Sequence, residues 1–313
     1  MASVTALDAH REDEIIHTLT DADAIVLYHN LSIGQRVIER LSRCKLIVRC
    51  GVGYDNVDYA FARMRGIDVA NVPDYGTEEV ADSAIGLTLA LTRGIHFLNS
   101  RLRDEFQHES WTYAQVAPLQ RLRASVFGIV GLGRIGTTTA MRAKALGMDV
   151  VFYDPQKPDG YDKALGIRRV SEARELFAQS RILSLHCPLT PQTHHIVNRQ
   201  SLTWLPRGAY LINTARGATV DTEAIPEAIE SGQLAGAGIE VLEHEPPSAS
   251  DPLIAAWRNR AHPAHHRVII NPHAAFYSEQ GLLDMRIKGS QACFNALMGK
   301  TVPNVINRRP AEP

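Results

Sequence analysis

The sequence predicts an α/β protein made of two doubly wound parallel-sheet domains, and three observations predict it. At 313 residues the chain is long enough for two domains of ordinary size, each able to bury its own core. Short β-rich runs alternate with helical patterns from end to end, as expected where crossover helices cover both faces of a parallel sheet. The runs also fall into two series, parted by a long helical pattern and a polar stretch.

In the first series, Ala24-Ile-Val-Leu-Tyr28 and Leu46-Ile-Val-Arg-Cys50 read as strands, each followed by a turn and a helical segment. Val4 to Leu7 reads as another strand. The pattern from Thr77 to Arg103 is helical without a break, and at about 1.5 Å per residue such a helix would span roughly 40 Å and bridge two domains. The polar stretch Gln107 to Arg123 follows. The second series then begins at Ser125 to Val130 and continues through Val150 to Tyr153, Ile182 to Leu185, Ala209 to Ile212 and Val268 to Ile270. Pro246 to Ser250 and Arg258 to His266 read as exposed loops.

Composition narrows the functional classes. Hydrophobic residues make up 45%, charged residues 21%, and the formal net charge is -1, so nothing suggests a nucleic-acid binder or a disordered chain. Cys44, Cys50, Cys187 and Cys293 lie far apart, without a C-x-x-C pair, and read as buried thiols rather than a zinc site or a disulfide framework. There is no signal-peptide pattern and no run of 18 apolar residues, so a cytoplasmic protein without a membrane partner is expected. His262, His265 and His266 share one short loop, which reads as a polar insertion, and no metal site is expected.

The most informative motif is Gly131-Leu-Gly133-Arg134-Ile135-Gly136, which follows a strand directly and opens a helix. In this Rossmann-type arrangement the first glycine permits a tight turn, the second lets the backbone approach a pyrophosphate, and the third lets helix and strand pack closely. A second strand ends at Asp154, eighteen residues after Gly136, where an acid can bind ribose hydroxyls. That carboxylate repels a 2′-phosphate, and Pro155, Gln156 and Lys157 bring no nearby arginine. NAD is therefore the expected cofactor, in preference to NADP.

Arg49 to Asn56, the glycine loop, Asn213-Thr-Ala-Arg-Gly217 and Asn271-Pro-His-Ala-Ala275 together resemble the D-isomer-specific 2-hydroxyacid dehydrogenase family over nearly the whole chain. Within it, Glu78 to Ser83 and His273 to Gln280 look most like the carboxy-terminal-binding-protein branch, which includes corepressors. The resemblance implies two Rossmann/flavodoxin-like domains, a discontinuous substrate domain of residues 1–100 plus 276–313 with an NAD-binding domain of residues 101–275 inserted into it, a homodimer, and hydride transfer between NAD(H) and a small D-2-hydroxy acid or 2-keto acid.

The same resemblance implies a catalytic trio of Arg216, Glu245 and His273. A planar guanidinium suits a carboxylate and the reacting oxygen, an imidazole exchanges protons near neutral pH, and Glu245 would orient the ring. Cofactor contacts are implied at Val130, Gly131, Gly133, Arg134, Ile135, Gly136, Asp154, Cys187, Pro188, Thr193, Thr214 and Ala215. Val52 and Gly53 would meet the substrate carboxylate through backbone amides, with Tyr54 and Phe276 as pocket walls. Glu240 stands where the family has aspartate and would meet the nicotinamide carboxamide. Apolar groups at Trp111, Tyr113, Val116 and Leu119 are expected in a dimer contact that also uses the bridging helix. The rival reading, an NAD(H)-sensing corepressor-like interaction protein, would need the cofactor contacts but not the trio.

Overall fold

A computed structural model describes residues 3–104, 106–114, 116 and 119–308. The chain forms two compact units, one of residues 1–76 and 277–313, the other of residues 77–276.

The smaller unit is built on a parallel sheet of three strands, β1 (Ala24–Leu27), β2 (Leu46–Arg49) and β3 (Asp68–Asn71), in that order. The central strand β2 is buried along its whole length, which explains its unbroken apolar run. The last long helix, Glu279–Leu297, packs against β1 and β2. It approaches closely at Gly289, where a Cβ would stand 2.5 Å from Cys50 Sγ. The carboxy-terminal segment is tied to β3, since Val69 N donates to Asn307 Oδ1 at 2.9 Å and Asn307 Nδ2 donates to Ile67 O at 3.0 Å. These bonds make the unit discontinuous in sequence. Val4 to Leu7, expected as a strand, is not one: the segment joins no sheet, and Val4 is 89% exposed.

The larger unit holds seven parallel strands: β4 (Val126–Val130), β5 (Asp149–Tyr153), β6 (Arg168–Arg169), β7 (Ile182–Leu185), β8 (Ala209–Asn213), β9 (Leu234–Ile239) and β10 (Val268–Ile270). Their order is β10-β9-β8-β7-β4-β5-β6, so the direction of winding reverses between β4 and β7. In a doubly wound sheet that reversal opens a crevice at the carboxyl ends of the strands. The core lies on both faces, with Phe127, Ile129, Phe152, Leu183 and Leu211 fully buried.

Two expectations change here. The helical pattern 77–103 is broken, with one helix at Thr77–Thr92 and another at Ile95–Asp104. Gly94 between them takes φ +64, in the left-handed region that ends helices. The boundary between units also falls at 76/77 instead of 100, because Thr77–Thr92 packs on the helix Arg134–Ala145 and on β8 and β9. Gly238 permits that approach, since a Cβ there would stand 3.0 Å from Leu87 Cβ. Among the described residues, no helix is long and apolar enough to cross a membrane.

Candidate active site

The predicted cofactor and catalytic residues of the larger unit gather at the carboxyl ends of its strands. The glycine loop leaves β4. Gly131 takes φ +87, and a Cβ there would stand 2.7 Å from the backbone N of Cys187. A Cβ on Gly136 would fall 2.1 Å from Gly131 O, whereas one on Gly133 would meet nothing within 4 Å. Two glycines are thus required by the protein's own packing, and the third faces open space. Helix Arg134–Ala145 begins there, presenting its amino-terminal N–H groups.

Asp154 sits beside this loop, its Oδ2 accepting from Leu132 N at 2.8 Å and its Oδ1 from Gln156 N at 2.9 Å. Arg169, which local sequence did not bring to attention, reaches the same turn from β6. Its Nη2 donates to the carbonyls of Asp154 at 3.2 Å and Lys157 at 2.9 Å. Across the switch point, Cys187 is buried and its thiol is pushed up to about 12 by desolvation, which keeps it protonated and unreactive. The Cys187 to Thr193 loop closes on itself, with Thr193 Oγ1 donating to Pro188 O at 2.6 Å.

His186 also escaped the sequence reading. Although the residue is partly exposed, its Nδ1 is buried without a hydrogen-bond partner, and Nε2 lies 2.8 Å from Ser184 Oγ. Burial lowers its pKa to about 3, so the ring stays neutral.

The catalytic candidates come from three neighbouring strand ends. Arg216 follows β8, and the next residue, Gly217, packs on the backbone of the loop that carries Glu245, where a Cβ would fall 2.0 Å from Leu242 C. Glu245 Oε1 accepts from Leu242 N at 2.8 Å, and its Oε2 lies 2.7 Å from His273 Nδ1. His273 follows β10 with φ +53, an uncommon conformation for a residue with a side chain. Glu240 is what holds that segment. It is 2% exposed, and its two oxygens accept from Ala274 N at 2.6 Å and Asn271 Nδ2 at 2.9 Å. His273 N in turn donates to Glu240 O at 2.9 Å. Phe276 lies near the His273 imidazole, ring centroids 6.4 Å apart.

Val52, Gly53 and Tyr54 belong to the other unit and follow β2 there. Asn71 Nδ2 donates to Val52 O at 2.7 Å, and Tyr54 packs edge-on against Tyr59 at 5.3 Å. In the loop 262–266 the His265 and His266 rings pack edge-on with centroids 4.6 Å apart, while His262 turns to another partner. His262 Nε2 pairs with Glu230 at 2.9 Å, His265 Nδ1 lies 2.7 Å from Trp257 O, and His266 packs on Phe97.

This geometry fits a dinucleotide. Open space lies above Gly133, an acid stands beside the glycine loop, and the Thr214 hydroxyl at the end of β8 is buried without a hydrogen-bond partner.

Residues 85–275 match the family model described as D-isomer specific 2-hydroxyacid dehydrogenase, NAD binding domain, and the chain belongs to that family. Its cofactor is NAD, held by this larger unit. The chain is 34% identical over 298 residues to a glyoxylate reductase of Korarchaeum cryptofilum, covering 94% of this chain and 85% of that one. It is 32% identical over 296 residues to a D-3-phosphoglycerate dehydrogenase of Methanocaldococcus jannaschii, covering 95% of this chain but only 54% of that protein's length. Among solved structures, a D-lactate dehydrogenase from Aquifex aeolicus complexed with NAD and lactic acid superimposes with a TM-score of 0.84 at 27% identity, covering 96% of this chain and 91% of that one.

Proposed function

We propose that the protein is an NAD-dependent oxidoreductase that moves a hydride between NAD(H) and the 2-carbon of a small D-2-hydroxy acid or 2-keto acid. The observation that carries this reading is the 2.7 Å contact between His273 Nδ1 and Glu245 Oε2. With Nδ1–H donating to the carboxylate, proton exchange with the substrate falls to Nε2. Reduction then needs two deliveries. The cofactor, when bound as NADH, would supply the hydride, and His273 Nε2–H would give the proton to the carbonyl oxygen as it becomes a hydroxyl; oxidation would run the same transfer backwards. Arg216 grips the substrate carboxylate and polarises the reacting oxygen. Phe276, whose ring lies 6.4 Å from that of His273, faces the substrate side chain. Glu240 acts through His273, as the group that fixes its segment.

In the cofactor site, the Asp154 carboxylate receives the ribose hydroxyls and repels a 2′-phosphate, so NADH is preferred over NADPH by more than about tenfold. A homodimer is part of the same reading. Trp111 and Tyr113, 73% and 86% exposed, are apolar side chains that such a contact would cover. The sensing alternative draws no support from the relatives above, each named for a dehydrogenase or reductase activity.

The test is turnover with a panel of 2-keto acids (glyoxylate, pyruvate, hydroxypyruvate, phenylpyruvate) and NADH, followed by loss of absorbance. His273→Ala is expected to lower kcat by about 10² to 10⁴ with NADH binding little changed. Arg216→Lys is also severe, since an ammonium cannot reproduce a two-pronged contact. Near-normal turnover in either variant would remove the assignment.

A further inference from the structure

Two histidines and a glutamate, none of them used by the mechanism above, converge on one point of the larger unit. His195 Nε2 lies 3.1 Å from Glu243 Oε2, and His194 Nε2 lies 4.0 Å from Glu243 Oε1. One donor atom from each residue can be chosen so that all three lie within 4.8 Å of one another. Consecutive residues on extended backbone point their side chains to opposite faces. Here they do not, because His195 takes φ +47. That turn lays the two imidazoles side by side, with centroids 4.0 Å apart and planes at 27°.

The left-handed conformation is uncommon for a residue with a side chain and persists only where its surroundings hold it. They do so from both sides. His195 N donates to Ala218 O at 2.9 Å, and Asn198 Nδ2 donates to His195 O at 2.8 Å. The rings are therefore presented by a fixed backbone. Their side chains remain 52% and 32% exposed, and that of Glu243 is 34% exposed, so an ion can enter from solvent.

We propose that His194, His195 and Glu243 form a site for a divalent transition-metal ion of the Zn²⁺ type, with water completing the coordination. Two imidazole nitrogens and one carboxylate oxygen suit Zn²⁺, whereas Ca²⁺ and Mg²⁺ prefer oxygen donors throughout. Ligand atoms held about 2.0–2.2 Å from a tetrahedral ion stand roughly 3.4 Å apart. That spacing falls between the 3.1 and 4.0 Å of the two His–Glu pairs, and with all three donor atoms within 4.8 Å a rotation of the stacked rings toward one point completes the site. An ordinary His–Glu ion pair would use one imidazole; it gives no role to the second, stacked beside it. Occupancy would join the turn at His194 and His195 to the loop of Glu243, two residues before Glu245, and so stiffen the segment that faces His273.

The test is a binding measurement, independent of turnover. The purified full chain, stripped with a chelator, is titrated with Zn²⁺ in competition with a chromogenic chelator at neutral pH, with NADH binding as the check on folding. One Zn²⁺ per chain is expected. His194→Ala/His195→Ala is expected to lose that site, and Glu243→Gln to weaken it by at least about tenfold. His262→Ala/His265→Ala, in the other histidine loop, is expected to leave it unchanged. X-ray absorption is expected to show nitrogen and oxygen ligands only. The proposal is overturned by wild-type protein that binds no Zn²⁺ more tightly than about 100 μM, by undiminished binding in the first double variant, or by sulfur in the coordination sphere.

Discussion

The loop after β4 and the segment after β10 both hold a site residue at a strand end, and they do it by opposite means. The glycine loop works by leaving side chains out: Gly131 and Gly136 let two backbones touch, and Gly133 leaves space above the helix start. The His273 segment works by adding one. A buried carboxylate, Glu240, ties Asn271 and Ala274 together and fixes an imidazole at φ +53. Glycine spacing can be recognised in six consecutive residues. The carboxylate tether joins positions 31 and 34 residues apart and looks, in sequence, like any acid at a strand end.

The largest effect should come from cutting the tether. Glu240→Ala leaves the Ala274 N–H and the Asn271 amide without their acceptor, and a displacement of His273 near 1 Å costs about 10²-fold in rate. Glu240→Asp, shorter by about 1.3–1.5 Å of reach, should lower kcat in the same direction, because it cannot span both donors. NADH affinity separates the two roles open to this residue. If the dissociation constant stays put while kcat falls, Glu240 acts through His273; if affinity falls as well, the carboxylate also meets the nicotinamide. An unchanged kcat in both variants would break the comparison.

The glycines allow a sharper test. Gly136→Ala places a methyl 2.1 Å from Gly131 O, a backbone atom that cannot swing away, so a loss of about 1–3 kcal/mol is expected in urea denaturation. Gly133→Ala meets nothing within 4 Å and should leave stability within about 0.5 kcal/mol of wild type. It should nonetheless weaken NADH by about tenfold, or 1.4 kcal/mol, because the methyl occupies the approach to the pyrophosphate. Equal behaviour of the two variants in both assays would show that the loop does not divide its glycines in this way.

The smallest effect near neutral pH concerns His186, behind the glycine loop. Its pKa is lowered by burial from 6.5 to about 3, so below 6.5 the unfolded chain takes up a proton that the folded chain refuses. Stability from this group is complete above pH 6.5 and declines as pH falls toward 3, by at most about 1.4 kcal/mol per pH unit. Urea midpoints at pH 7.5 and 5.5 measure it, and His186→Gln should flatten the difference. An identical acid-side loss in the variant would assign the loss to other groups.

Much of the architecture was legible because its signals are local. Seven of the strands announce themselves by apolar runs, and the glycine loop with Asp154 needs only a strand, a helix and a second strand in series. The strands that escaped notice fail that local test for physical reasons. β9 reads Leu-Ala-Gly-Ala-Gly-Ile because Thr77–Thr92 packs directly onto its glycines, β6 is two arginines long, and β3 ends in Asp68 and Asn71. The helix pattern 77–103 was legible as helix but not as two pieces, since Gly94 is tolerated by the periodicity and broken only by its φ of +64.

By itself, then, the sequence determined the α/β class, the place of the dinucleotide fingerprint and the residue types available for proton transfer, all set by neighbours a few positions apart. Tertiary structure alone decided which of those residues meet. The strand order β9-β10 brings Glu240 to the His273 segment, β6 beside β5 brings Arg169 to the Asp154 turn, and the left-handed turn at His195 faces Glu243 across 48 residues of chain. Burial and partnership are properties of packed neighbours, and a chain read in order records only which residue comes next.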